Sequence, residues 1–282
     1  MEARTRISGS EHWTRKGDVK LFLWQKSPPT GEKPKATILF VHGSSMASQP
    51  TFDLQVPGRA DSSVMEWFAE RGFDAWCMDM EGYGRSDKSR PIHCDIANGA
   101  DDLAAGSQYI LKHTGAKKLL VYGISSGALR AAAFAERHPE RVARLALDAF
   151  VWTGKGSPTL VERRKKLAEF QSKHRRPIDR KFVHSIFERD HPGTADKATI
   201  EAFADAILAL DDSVPTIIMR GEFDGIASYE DLIDFFGRLP NPDKQFSVMA
   251  GISHASFQQK NYLTAYHILH SFFTLPDPVY RG

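Results

Sequence analysis

Hydrophobic and polar positions alternate from residue 10 to residue 26, SEHWTRKGDVKLFLWQK, around a Gly17-Asp18 pair. That pattern predicts an antiparallel hairpin. A turn rich in proline and lysine, SPPTGEKPK, follows, and then the continuous apolar run ATILFVHGSS. The run reads as a central strand buried on both faces, with a small polar loop at its carboxyl end. From there the two periods take turns: a helix over 63–72, a strand over 73–80, a helix over 101–115, a strand over 117–123, a helix over 126–139 and a strand over 142–150. Such alternation predicts a parallel sheet with helices on both faces.

The rhythm breaks at residue 151. It resumes with a strand over 214–225, a helix near 228–238, a strand over 245–251 and a C-terminal helix near 260–273. The interruption, 151–212, is helical in pattern, has no strand signal and carries the charged runs ERRKK and SKHRRPIDRK. A segment inserted between sheet elements packs most simply over the carboxyl edge of the sheet, where parallel α/β sheets hold their ligands. The expected organisation is a core of residues 1–150 and 213–282 with a helical cap over 151–212. The basic runs also carry glutamates and aspartates and read as solvated faces of cap helices. No internal repeat or low-complexity stretch is present.

Composition narrows the setting. A chain of 282 residues is long enough for one large α/β core with an inserted subdomain. Its formal charge of +2 gives no nucleic-acid footprint. Two cysteines, Cys77 and Cys94, lie far apart without a C-x-x-C spacing, which fits a reducing compartment rather than a disulfide or zinc framework. The N-terminal stretch MEARTRISGSEHW is charged throughout and lacks the apolar core of a signal peptide. No apolar run approaches the roughly 20 residues that span a bilayer. The expectation is a soluble, cytoplasmic protein without membrane or nucleic-acid partners.

The candidate chemistry begins where strand 117–123 meets helix 126–139. Gly123-Ile124-Ser125-Ser126-Gly127 fits G-x-S-x-G, a strand-to-helix turn that exposes the central hydroxyl at its apex. Small residues are needed on both sides, because a side chain there would collide with the backbone entering and leaving the turn. Ser125 is the candidate nucleophile. A serine hydroxyl attacks only when a base takes its proton, and the base must itself be held by a third group. Asp224, in IIMRGEFDG, and His254, in FSVMAGISHASF, both follow strands in the order serine, acid, histidine. Asp148, at the end of RLALDAF, competes with Asp224 for the acid. Asp79 and Glu81, in CMDMEGYGRSD, read as anchors of their own turn. The tetrahedral oxyanion needs two donors. The backbone N–H of Ser126 supplies one and that of Ser44, in VHGSSM, the other, with Ser45 as runner-up. The side chain of His42 reads as structural.

With these loops in order, the chain resembles the α/β-hydrolase superfamily. VHGSS is similar to its oxyanion loop, DMEGYGRSD to its D-x-x-G-x-G-x-S turn, and GISSG, GEFDG and the Ser253-His254 pair to its elbow, acid and histidine loops. The resemblance implies the α/β-hydrolase fold: a mostly parallel eight-stranded sheet flanked by helices, with the cap inserted after strand 6. Relatives with an aspartate nucleophile, the dehalogenases and epoxide hydrolases, fit poorly because the elbow holds Ser125. The H-G-G-G loop of one lipase and esterase group is absent.

The resulting expectation is a serine hydrolase, a carboxylesterase acting on a small or medium ester through Ser125, His254 and Asp224, with no cofactor and no metal. A C–C bond hydrolase or an amidase on the same triad is the alternative, and a non-catalytic ligand-binding receptor of the same fold is the alternative from another class. Met46, Phe52, Phe150, Trp152 and Phe257 could line an acyl pocket or pack as ordinary core. The sequence offers no heptads or self-complementary motif, and a homodimer is compatible with it.

Overall fold

In a computed structural model the chain divides into two compact units, residues 1–210 and 211–282. Residues 7, 9–29, 33–176, 178–188, 192–209, 216–238 and 244–274 are described. Part of the N-terminal stretch, the far cap boundary at 210–212 and the first residues of the strand expected from 214 lie outside them.

The first unit begins with β1 (Ser10–Lys16), β2 (Val19–Lys26), β3 (Thr37–Val41), α1 (Ser48–Phe52), α2 (Val64–Ala69) and β4 (Asp74–Met78). It continues through α3 (Ile96–Thr114), β5 (Leu119–Ile124), α4 (Ser126–Arg137) and β6 (Val142–Asp148). Its six strands form one sheet in the order β1-β2-β4-β3-β5-β6. The β1–β2 hairpin joins antiparallel to β4, whereas β4, β3, β5 and β6 run parallel.

The continuous apolar run at β3 has its explanation in two packed faces. Leu39 and Val41 face the same way as Trp76 and Met78 of β4 and pack with Ala100, Leu103 and Ile110 of α3 and Ala131 and Phe134 of α4. Ile38 and Phe40, with Ala75 and Cys77, pack on the other face against Phe52 of α1 and Met65 of α2. A strand sandwiched in this way needs apolar residues at successive positions.

Helix α3 starts five residues earlier than its pattern suggests, at Ile96 rather than 101. Asp95 caps it by accepting from the Asn98 N–H (2.8 Å), and Gly115, at φ 71°, closes it. The Asn98-Gly99 pair looks like a turn, but a Cβ at Gly99 would fall 2.4 Å from the Arg130 side chain, so packing selects the glycine. The short α1 has no periodic signal of its own.

Beyond β6 come α5 (Pro158–Lys165), α6 (Leu167–Ser172), α7 (Arg180–Glu188) and α8 (Lys197–Leu208), with no strand among the described residues. Val183 of α7 and Phe203, Ala204 and Ile207 of α8 bury against Ala47, with Met46 and Leu54 beside them. These helices therefore pack on the loop that follows β3.

The second unit holds β7 (Thr216–Gly221), α9 (Tyr229–Arg238), β8 (Lys244–Met249) and α10 (Tyr262–Phe273). β7 and β8 pair in parallel from Thr216–Lys244 to Gly221–Met249. Met249, Ile252 and Ala265 form its core. Among the described residues, six strands pair within the first unit and two within the second. Among the described residues no helix is long and apolar enough to cross a membrane.

Candidate active site

Ser125 occupies a backbone conformation that L-residues avoid, φ 57° and ψ −126°. Holding a non-glycine residue there costs on the order of 1–3 kcal/mol and persists only where the surroundings fix it. They do so here. The Ser125 N–H donates to the carbonyl of Asp148 at the end of β6 (2.9 Å), and its own carbonyl accepts from Ala128 (3.1 Å). A Cβ at Gly123 would lie 2.6 Å from the Gly127 carbonyl oxygen, and one at Gly127 would lie 2.4 Å from the carbonyl oxygens of both Val41 and His42. The two glycines let α4 seat directly on β3 and β5. Ser126 opens α4, so its N–H is among those with no partner inside the helix.

The loop after β3 touches this apex. A Cβ at Gly43 would stand 3.1 Å from Ser125 Cβ and 3.6 Å from its Oγ. The hydroxyls of Ser44 and Ser126, the two residues expected to supply oxyanion donors, are hydrogen-bonded to each other at 2.8 Å. Ser45, the runner-up, sits at φ 61°. His42 is fully buried. Its Nδ1–H donates to the Gly43 carbonyl (2.7 Å) and its Nε2 accepts from the Met80 N–H (3.1 Å). Burial, with the Arg130 charge adding to it, pushes this imidazole down to about 3. A ring with both nitrogens engaged and no access to solvent ties the β3 and β4 loops together and is not a reacting group.

The turn after β4 is anchored by its acids. Asp79 is buried and accepts from the N–H and Oγ of Ser48 (2.7 Å each) and from the Arg85 N–H (2.8 Å). Gly84, at φ 50°, is needed there because a Cβ would fall 2.2 Å from Asp79 Oδ2. Glu81 is gripped by the Arg90 guanidinium, which together with Lys16 holds its carboxyl down to about 2.

The acid and base candidates meet in the second unit. Asp224 follows β7 and His254 follows β8, and Nδ1 of His254 lies 3.1 Å from each Asp224 oxygen. Asp224 Oδ1 also accepts from the N–H groups of Ile226 (2.9 Å) and Ala227 (3.1 Å). Chiefly through Ile226, these contacts hold the carboxyl at about 2. Parallel pairing brings the loops together: the Phe223 N–H donates to the Ile252 carbonyl (2.9 Å), and a Cβ at Gly221 would meet the Ser253 carbonyl oxygen at 2.4 Å.

One residue that supports this loop, at the end of β7, belongs to no motif in the sequence. Arg220 is buried and donates to four backbone carbonyls of the turn, those of Gly221 (2.7 Å), Glu222 (3.0 Å), Asp224 (2.6 Å) and Ala227 (2.7 Å). Its guanidinium lies 3.6 Å from the Tyr229 ring centroid. An arginine inside an apolar strand, one residue before the GEFDG turn, was the available signal.

Asp148, the competing acid, is occupied within the first unit: its Oδ2 accepts from the Tyr122 O–H at 2.5 Å. Ser125, Ser44 and Ser126 belong to the first unit, Asp224 and His254 to the second. Of the suggested pocket residues, Phe52 is core and Met46 packs against α7 and α8. Phe150 and Trp152 are exposed, and Phe257 packs on Tyr266 at 5.6 Å. No group of three or more His, Cys, Asp or Glu side chains among the described residues could hold a metal ion.

Comparison with known proteins extends this picture. Residues 32–261 match the family model described as serine aminopeptidase, S33. A proline iminopeptidase from Neisseria meningitidis serogroup A is 29% identical over 130 residues, which cover 46% of this chain and 36% of that protein. The match therefore spans little more than a third of the curated relative. Among solved structures, carboxylesterase CesB from Bacillus subtilis covers 95% of this chain, with 92% of its own length matched, at 17% identity and a TM-score of 0.46. A thioesterase domain from the curacin biosynthetic pathway covers 95%, with all of its own length matched, at 15% identity and a TM-score of 0.48. With the family match running from before β3 to the start of α10, the chain belongs to the serine aminopeptidase S33 family of α/β hydrolases.

Proposed function

We propose that the protein is a serine hydrolase that cleaves a small or medium carboxylic ester through an acyl-enzyme on Ser125. The observation that carries this reading is the strained backbone of Ser125, whose φ of 57° is kept by the Asp148 carbonyl and by the seating of α4 on β3. Strain of this kind is retained where it presents a reacting group.

In the proposed cycle the acid and base act as the Asp224–His254 pair. His254, held by Asp224 through Nδ1, takes the Ser125 proton on Nε2 as Oγ bonds to the acyl carbon. The carbonyl oxygen becomes an oxyanion, which the N–H groups of Ser44 and Ser126 stabilise. The C–O bond to the alcohol then breaks, and His254 returns the proton to the leaving oxygen. Water loses a proton to His254, its oxygen bonds to the acyl carbon, and the Ser125–acyl bond breaks to release the acid and restore the hydroxyl. Helices α5–α8 act as a cap over 151–212 that shapes which substrates enter.

The similarity to proline iminopeptidases over 130 residues supports a second reading, in which the same residues cleave an amide next to a free amino terminus. The steps are unchanged except that the leaving atom is nitrogen.

Incubation with a fluorophosphonate, followed by intact-mass measurement, tests both. A single adduct on the wild type that is absent from Ser125→Ala supports the reading, and an unlabelled, folded wild type overturns it. Rates on 4-nitrophenyl butyrate and on prolyl 4-nitroanilide then separate ester from aminopeptide substrates.

A further inference from the structure

The basic segment between α6 and α7 is exposed, yet two of its side chains contact other parts of the first unit. The His174 ring packs on His93, with centroids 4.6 Å apart. Two residues on, Arg176 lies with its guanidinium 4.5 Å from the Phe182 ring centroid and donates from Nη2 to the hydroxyl of Ser45. Ser45 is the neighbour of Ser44, whose Oγ touches that of Ser126 at 2.8 Å, and Gly43 of the same loop packs against Ser125. A single loop of three residues therefore joins the nucleophile to this cation.

Several basic residues near Arg176 are paired with acids, whereas Arg176 is distinguished by its contact with the loop after β3. Lys173 is paired with Glu169, Arg90 with Glu81, and Arg180 with both Glu201 and Asp205. Arg176 has no carboxylate partner among the described residues, and the acceptor it does have is a neutral hydroxyl. A guanidinium carries five N–H donors in one plane, a fork that matches a carboxylate. Stacking on Phe182 restrains the side chain while Ser45 takes up one amino group, so most of the fork stays available beside the oxyanion loop.

We propose that Arg176 is a specificity-determining residue that binds an anionic group of the substrate, making the preferred substrates half-esters or half-amides of dicarboxylic acids, with the free carboxylate on the acyl chain. The proposal rests on the hydrolytic reading above for the bond that is cut, but not for the anion that is bound.

The test compares mono-4-nitrophenyl glutarate with 4-nitrophenyl valerate, esters of equal chain length that differ in a terminal carboxylate, on the wild type, Arg176→Gln and Arg176→Lys. Loss of a charge-assisted hydrogen bond predicts that Arg176→Gln lowers the glutarate-to-valerate ratio of kcat/KM about ten- to a hundredfold, mainly through KM. Arg176→Lys should recover part of that ratio. An equal loss on both esters makes Arg176 a brace for the Ser45 loop and overturns the proposal, as does an unchanged ratio. Calorimetric titration with glutarate itself needs no turnover: binding by the wild type that Arg176→Gln abolishes supports the proposal, and absent or retained binding overturns it. If glutarate binding depends on Arg176 while the fluorophosphonate leaves Ser125 unlabelled, the hydrolytic reading alone fails.

Discussion

Both carboxylate oxygens of Asp224 lie 3.1 Å from the same atom, Nδ1 of His254. That contact fixes the tautomer of the ring, with the proton on Nδ1 and Nε2 free to accept. In Asp224→Asn the amide no longer enforces this tautomer, and kcat on an activated ester should fall on the order of 10⁴-fold with KM little moved. Asp148→Asn should keep most of the rate, because its carboxylate serves Tyr122. Steady-state kinetics on the two variants decides between the acids, and the reverse ranking would transfer the role to Asp148.

The Asp224 carboxyl also sets a pH expectation. Its pKa in the fold is about 2, below the ordinary 3.8, so the charged form is the one the fold favours. The support it gives the acid loop is in full above 3.8 and disappears as pH falls through about 2. A pH–rate profile should therefore show no loss of activity due to this group above pH 4. An Asp224 carboxyl resonance that titrates above pH 4 would contradict the assignment.

His42 makes a prediction of the same sign with a wider window. Its folded pKa of about 3 lies below the ordinary 6.5, so the unfolded chain binds the proton more readily. Stability is complete above 6.5 and declines as pH falls towards 3, by an amount on the order of a few kcal/mol. Urea unfolding at a series of pH values should show that slope in the wild type and a shallower one in His42→Ala. The variant should also be less stable at pH 7 by about 2–4 kcal/mol, since it leaves the Met80 N–H and the Gly43 carbonyl unpaired and opens a cavity.

Relieving the strain at the elbow should separate stability from activity. Ser125→Gly and Ser125→Ala both remove the nucleophile, but only glycine is at ease at φ 57°. The glycine variant should be the more stable of the two by about 1 kcal/mol, read from denaturant midpoints at equal slope. An alanine variant that equals it would mean that the backbone relaxes at no cost.

Arg220 should behave as a positioning residue. Arg220→Lys retains the charge but cannot reach four carbonyls, and the turn that carries Asp224 loosens. A drop in kcat of about 10²-fold with KM nearly constant is the expected result, the usual effect of a reacting group displaced by about an ångström. Unchanged kcat would show that the Ile226 and Ala227 amides hold Asp224 without help.

Much of this was legible in the chain because some constraints are local. Gly123, Ser125 and Gly127 are dictated by a turn whose geometry involves neighbours in sequence, and β3 and β4 are continuous apolar runs because both of their faces are covered. Asp79 and Glu81, at a strand end, read as anchors of their turn and His42 as structural, and their hydrogen bonds agree. What the sequence did not disclose depends on partners distant in the chain. Arg220 looks like an interruption of a strand until the carbonyls of the following turn are seen around it. Arg176 is one basic residue among several until its contact with the Ser45 hydroxyl is seen.

The contact of Gly127 with the carbonyls of Val41 and His42 has a mechanical consequence. With no side chain between them, helix and strand touch backbone to backbone, and neither can slide without collision. Ser125 and the loop after β3 are thereby held as one block, so any movement that opens this region has its hinge outside it.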